Sequence, residues 1–345
     1  MDNELNDWID RENVNEYNKN GYTKLYIAVA KNDIKKVNRL LHLGADPNIP
    51  NADSYYPIHV AVKNNSLKII RSLLRYCADV DKECGEGDTA LLIAISSENY
   101  AICEILLDNG ANPNYVNYYG IVPLLRAIIC DSDDIVRLLL DKGANPNHVI
   151  KKCDRTYTVL ESLKDCSFKN NSSSLTTLIS EIVISRCKEN FDEDGFKINA
   201  SIIANDQHLR SIALKCKMEL NVMYTTGIKD KSIFKLCIMK EYDKINKNIL
   251  VNYLDKLIEI SNTIIIYRRM IEDVINIAIK RKELLIMTIN INYYAPDKEY
   301  SCWKHKPLKE RLKILQHFND DMLTRIILKD ALNRTNNTNQ KIEKQ

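Results

Sequence analysis

Apolar positions in the first 150 residues come in two alternating kinds of burst, and the pair recurs every 33 residues. The first kind is a compact octet: Gly21–Ala28, Ser54–Ala61, Gly87–Ala94 and Gly120–Ala127. Each octet ends on an alanine. The second kind follows 16 residues after each start and is an i, i+3, i+4 triplet: Val37/Leu40/Leu41, Ile70/Leu73/Leu74, Cys103/Leu106/Leu107 and Val136/Leu139/Leu140. That spacing places three side chains on one stripe of a helix. Each unit closes on Gly44-Ala45, Cys77-Ala78, Gly110-Ala111 or Gly143-Ala144. A glycine there lets a helix end in the left-handed conformation, and Cys77 in the same place would carry strain of about 1 kcal/mol. Asn48, Asp81, Asn114 and Asn147 suit the turn that follows. Four helix pairs are predicted, none able to cover its own apolar face, so the units stabilise each other by stacking.

The octets, with Tyr56-Pro57-Ile58-His59-Val60-Ala61 nearest to T-P-L-H-x-A, make residues 18–147 resemble four ankyrin repeats. Residues 1–17, with Leu5, Trp8 and Ile9 on one helical face, read as a capping half repeat. The pattern decays over 148–204. There Thr158–Glu161 opens a degenerate fifth unit, Leu175–Ser185 supplies its second helix, and the polar stretch 165–174 reads as an enlarged loop. A weak sixth unit begins near Gly195. The expected class is all-α: an ankyrin solenoid followed by a helical region over 205–332 and a polar, disordered tail at 333–345.

In ankyrin proteins the finger tips and inner helix face recognise a partner, and this is what the resemblance implies here. Tyr22, Tyr55, Asp88 and Ile121 share one finger column, and Asn20, Asp53, Glu86 and Tyr119 share another, with Tyr118 beside the last. Aromatic side chains among acidic ones suit a hot spot for a protein of basic and apolar character; the alternative is that these tyrosines pack along the turns and support the fingers.

In the second half, helix faces are expected from Ile212/Cys216/Leu220/Met223, Leu250/Leu254/Leu257/Ile258 and Ile271/Val274/Ile275/Ala278, with a break at Tyr293–Pro296. Cys216-x-x-Glu219-Leu220-x-x-Met223, followed by Ile228 and Ser232, resembles the C-terminal region of poxvirus ankyrin proteins, the avian kind included. Many of these end in a PRANC segment, an F-box-like module, to which 303–326 is similar through Trp303, Pro307, Ile314, Leu315 and Phe318. Lys306, Lys309 and Glu310 depart from that pattern and put charge where an apolar face would dock. In the family this end binds the adaptor of the host SCF (cullin-RING) ubiquitin ligase, and the repeats choose the target. The resemblance therefore implies a non-enzymatic viral adaptor; the alternative is a host-range or immune-evasion scaffold that sequesters a host protein without ligase recruitment.

Composition narrows this further. The chain has 345 residues, ten cysteines in no C-x-x-C pair, and no apolar run near the ~20 residues that span a bilayer. Reduced thiols, host cytoplasm, no signal peptide and no membrane partner are the expectations. Net charge is +3, yet residues 1–150 hold 15 basic against 21 acidic residues. The basic second half interleaves its cations with acids, so nucleic acid is not expected. No phosphate-binding, dinucleotide, metalloprotease or hydrolase motif occurs. Cys302-x-x-His305 lacks a second ligand pair, so no metal or other cofactor is expected. Cys84 near a finger is a candidate reactive thiol, set against simple packing.

Overall fold

The computed structural model describes residues 13–152, 155–163, 172–185, 192–228, 231–232, 237, 247–289, 315, 317–325 and 327. Residues 1–12 of the cap expected at 1–17, the residues Trp303, Pro307 and Ile314, the Cys302/His305 pair, the Tyr293–Pro296 break and the tail lie outside them. The chain divides into two compact units, Met1–Leu214 and Lys215–Gln345.

The first unit is a succession of helix pairs: α1 (Lys24–Ala30) with α2 (Ile34–His42), α3 (Pro57–Lys63) with α4 (Leu67–Arg75), α5 (Ala90–Ser96) with α6 (Tyr100–Asp108), and α7 (Pro123–Ile129) with α8 (Asp133–Asp141). Local chemistry fixes the starts. Thr23 and Thr89 accept hydrogen bonds from the N–H of Tyr26 and Leu92, 3.1 and 3.3 Å. Pro57 and Pro123 hold the first helical position of α3 and α7, where no N–H is needed. Asp33 and Asn99 cap α2 and α6.

Packing follows the triplets. Val37, Ile70, Leu73, Cys103, Leu106, Val136 and Leu139 are fully enclosed, and Leu74 and Leu140 are half-buried at the edge. Ala28, Ala61, Ala94 and Ala127 are buried where successive pairs meet, so a larger side chain would force them apart.

Gly44, Gly110 and Gly143 end their helices at φ +97°, +92° and +93°, and Cys77 adopts +61° in the second unit. Cys77 is exposed and gains little from its side chain. Cys77→Gly is expected to stabilise the protein by about 0.5–1 kcal/mol, relief of strain offset partly by backbone entropy. A higher urea midpoint with an unchanged slope checks this.

After α8 the fifth unit departs from the expected all-helical course. Val149–Lys152 (β1) and Arg155–Thr158 (β2) form an antiparallel hairpin in the register Val149↔Thr158. Val159–Ser162 (α9) starts at Thr158, whose hydroxyl accepts from the Glu161 N–H, and Ser173–Ser185 (α10) packs beside α8. Glu193–Asn205 (α11) brings in Asn199, fully buried, which donates to Asn147 (3.0 Å) and accepts from the Thr158 hydroxyl (2.6 Å). A helix over Gln207–Thr225 (α12) carries the chain into the second unit.

In the second unit, helices Lys247–Asn252 and Leu254–Thr263 both pack on Arg268–Ile289. Cys216, Met223, Leu250, Leu254, Leu257, Ile271, Val274 and Ala278 are buried as expected of their faces. Ile258 is not: it is 40% exposed, at the edge of a face whose buried residues on this helix are Leu254, Leu257, Ile260 and Ser261. Gly227–Ile228 pairs with Lys231–Ser232, a short ladder where helix alone was expected. The Glu219 carboxylate accepts from the N–H groups of Ile265, Ile266 and Tyr267 at 2.8–3.1 Å, just ahead of the 22-residue helix. That is where a helix leaves donors unsatisfied and favours negative charge.

Candidate functional site

The candidate ridge is built from four turns of one design. The N–H of Asn18, Asn51, Cys84 and Asn117 donates to the carbonyl of Tyr22, Tyr55, Asp88 and Ile121, 2.9–3.1 Å. Gly21, Ser54, Gly87 and Gly120 take positive φ at the bend, +60° to +79°. Within each asparagine turn the side-chain oxygen accepts two further N–H groups. Asn51 holds Asp53 and Tyr55 (3.1 and 2.7 Å), and Asn117 holds Tyr119 and Ile121 (3.0 and 2.8 Å). Asn18 does the same for Asn20 and Tyr22. The candidate binding residues thus sit on backbone pinned by an asparagine that the sequence reading passed over, although its 33-residue spacing was visible. Cys84 fills that place in the third finger and is 4% exposed, which makes it a packing residue and not a reactive thiol.

A second asparagine column locks one unit to the next. Asn15, Asn48 and Asn114 accept from the N–H of Asp46, Asp79 and Asn145, 2.7–2.8 Å, and donate to the carbonyls of Gly44, Cys77 and Gly143, 2.9–3.3 Å. Asp81 holds the same place in the third unit and accepts from the Asn112 N–H, 3.0 Å. An ionised carboxylate has no N–H to offer the Gly110 carbonyl. Burial pushes the Asp81 carboxyl above its ordinary value, against the opposing bond from Asn112. Asp81→Asn is therefore expected to stabilise by about 1 kcal/mol at neutral pH. The folded state binds the Asp81 proton more readily than the unfolded chain does, so the advantage shrinks as acid protonates the wild-type carboxyl. Urea midpoints of the two proteins at neutral and acid pH check both parts.

The structure sorts the candidate residues into two kinds. Tyr22 is half-buried and stacked on Tyr26 with centroids 5.2 Å apart. Tyr55 is half-buried, edge-on to His59, and its hydroxyl accepts from Lys63 Nζ at 2.8 Å. Burial, then a bond with Glu86, raises the Tyr55 phenol well above its ordinary range. Asp88 accepts from Asn117 (3.1 Å) and pairs with Arg126 (3.3 Å) across two fingers. These three brace the ridge, and Ile121 is half-buried beside them. Asn20, Asp53 and Glu86 are exposed, Glu86 within 3.9 Å of Lys63. The free aromatic surface lies on the fourth finger. Tyr118 is 78% exposed and Tyr119 54%, in a T-shaped pair with centroids 5.4 Å apart. Tyr119 lies over Gly87 of the third finger; a Cβ there would come within 3.0 Å of the ring. Lys152 Nζ of the hairpin sits 5.9 Å above the same ring, and the Tyr157 hydroxyl donates to the Gly120 carbonyl at 3.4 Å.

His59 is enclosed behind this surface. Its Nδ1 accepts from the Tyr56 N–H (3.2 Å), and its Nε2 is 2.9 Å from the Lys82 carbonyl, which fixes a neutral ring with the proton on Nε2. Among the described residues no group of three or more His, Cys, Asp or Glu is arranged to hold a metal ion, and no helix is long and apolar enough to cross a membrane.

Of the candidate F-box-like residues, Leu315 and Phe318 are described. Leu315 is 1% exposed against Leu285 and Leu323, and Phe318 is half-buried beside them. Buried Arg281 reaches the Phe318 carbonyl at 2.5 Å and Asp320 at 2.9 Å, while Lys247 holds the other Asp320 oxygen at 2.6 Å. Burial raises the Asp320 carboxyl pKa, but the two cations outweigh it and hold the group below its ordinary value.

Stacked helix pairs with pinned fingers define a repeat scaffold of the ankyrin class. The family model for ankyrin repeats (3 copies) matches residues 25–117 and 58–150, so this part of the chain is an ankyrin-repeat array, a non-catalytic scaffold. Similar proteins come from one avian poxvirus, fowlpox virus (strain NVSL). The ankyrin repeat protein FPV012 is 43% identical over 185 residues, 53% of this chain and 56% of that protein. FPV240 is 27% identical over 48% of this chain and 41% of its own length, and FPV222 30% identical over 47% and 22%. The chain is thus similar over about half its length to ankyrin-repeat proteins of fowlpox virus, and it spans about half the length of FPV012 and less of the others.

Proposed function

We propose that the chain is a viral adaptor that grips a host protein through the finger ridge, in the host cytoplasm. The observation that carries this is the Tyr118–Tyr119 pair. Two large side chains with few rotatable bonds stand exposed on backbone fixed by Asn117, so little entropy is lost when they are covered. Sequestration is the reading that the second unit favours. Leu315, needed on an open apolar face for docking on a ligase adaptor, is enclosed against Leu285 and Leu323. Delivery of the bound protein to the SCF (cullin-RING) ligase is the second reading, supported by the spacing of Trp303, Pro307, Ile314 and Leu315.

Affinity capture from host cells with the full chain tests both. The double variant Tyr118→Asp/Tyr119→Asp should fold normally and retain at least tenfold less of the bound host protein. Undiminished capture would remove the fourth finger from the site. Sequestration predicts no adaptor or cullin in the captured material; their presence with the full chain and loss on truncation at Tyr300 would establish delivery instead.

A further inference from the structure

Charge changes sign along the ridge on either side of the tyrosine pair. The third finger and the turn before it carry Asp79, Asp81, Glu83, Glu86 and Asp88. Three cations stand near them: Lys82 by Asp79, Lys63 by Glu86, and Arg126 by Asp88. Five carboxylates against three cations leave this end acidic. The equivalent stretch of the fourth finger, 112–121, holds no charged residue and presents Tyr118 and Tyr119. The equivalent of the fifth finger is the β1–β2 hairpin with Lys151, Lys152 and Arg155; the one acid in this stretch of sequence, Asp154, is outside the described residues. These three segments are continuous in space. Tyr119 covers Gly87 on one side and meets Lys152 on the other, and Tyr157 bonds to the Gly120 carbonyl.

We propose, resting on the ridge reading above, that fingers three to five form a polarised seat for an extended peptide segment of the protein partner. The segment is basic at the end over finger three, apolar or aromatic over Tyr118 and Tyr119, and acidic at the end over the hairpin. Its length follows from the scaffold. Packed helices stand 8–10 Å apart, so three consecutive fingers span roughly 16–20 Å. About six extended residues cover that distance. The order of charges then fixes the register of the partner, since sliding or inverting it sets like charges together.

Fluorescence anisotropy on the full chain tests this with synthetic twelve-residue peptides of one composition. In the first, a lysine-arginine block, Phe-Leu and an aspartate-glutamate block follow in order; in the second, the same residues alternate in charge. The segregated peptide should bind at least tenfold more tightly at low salt. The variant Lys151→Glu/Arg155→Glu, altered only at exposed positions, should lose that preference. It should instead bind tenfold better to a third peptide whose acidic block is replaced by a basic one. Equal binding of the segregated and alternating peptides, or no effect of the double variant, overturns the proposal. So does the absence of any peptide binding while Tyr118→Asp/Tyr119→Asp still abolishes capture of the host protein, and in that case the general ridge reading stands.

Discussion

Acidification from pH 7 to pH 4 is expected to cost the protein up to about 3 kcal/mol of stability through His59 alone. Enclosure of the ring lowers its pKa from 6.5 to about 4; the bond to the Lys82 carbonyl opposes the shift, and nearby Lys63 adds to it. The sign follows from which state takes the proton. Above pH 6.5 both folded and unfolded chains hold a neutral imidazole, and the stabilisation is present in full. Between 6.5 and about 4 the unfolded chain binds a proton that the folded one refuses, so stability falls through that window. The geometry explains the refusal. Protonated Nδ1 would point a hydrogen at the Tyr56 N–H that it now accepts from. Carboxylates titrate in the same range, so the informative quantity is the difference between wild type and His59→Gln. The variant is less stable at neutral pH and should lack this part of the acid dependence. Parallel pH profiles for the two proteins would show that His59 is not enclosed as described.

The second large effect is expected at Leu106. Its side chain is fully buried on α6, in the middle of the array, and its carbonyl accepts from the Ala111 N–H where the helix ends. Leu106→Ala should cost about 3–5 kcal/mol, the lost transfer energy plus the cavity left behind. In a stacked array each unit depends on its neighbours, so the loss is felt on both sides of the third unit. Leu67→Ala, at a position 36% exposed on α4, should cost about 1 kcal/mol or less. Urea denaturation of the full chain measures both. Similar losses at the two positions would mean that the triplets do not face the stack.

What could be read from sequence was what repeats locally. Thr23, Pro57, Thr89 and Pro123 announce helix starts, Gly44, Gly110 and Gly143 announce ends, and the alanine column announces close stacking; each is a short-range preference. The misses came from pairings that local pattern does not contain. Asp88 meets Arg126 at a separation of 38 residues. That pairing makes Asp88 a brace, although column position alone marks it as a free acidic tip. Tyr22 and Tyr55 lean on Tyr26 and Lys63 of their own units, near neighbours in sequence that a reading by finger column leaves out. The β1–β2 hairpin was written in Val149-Ile150 and Thr156-Tyr157-Thr158, yet without strict alternation those residues read as a decaying repeat. Ile258 shows the limit of phase: it completes an i, i+3, i+4 triplet with Leu254 and Leu257, yet the buried face runs on through Ile260 and Ser261, which leaves Ile258 at the opposite edge and partly in water.

If the finger ridge, and not the outer helices, meets a protein partner, a reactive group on the ridge should reach that partner and one on an outer helix should not. Site-specific photocrosslinking tests it most directly, with a benzophenone side chain placed at Tyr118 on the fourth finger or at Tyr100 on α6, which is 42% exposed. One discrete host-protein adduct is expected from Tyr118 in infected-type cells, competed away by excess unlabelled chain, and none from Tyr100. The same adduct from Tyr100, with none from Tyr118, would contradict it.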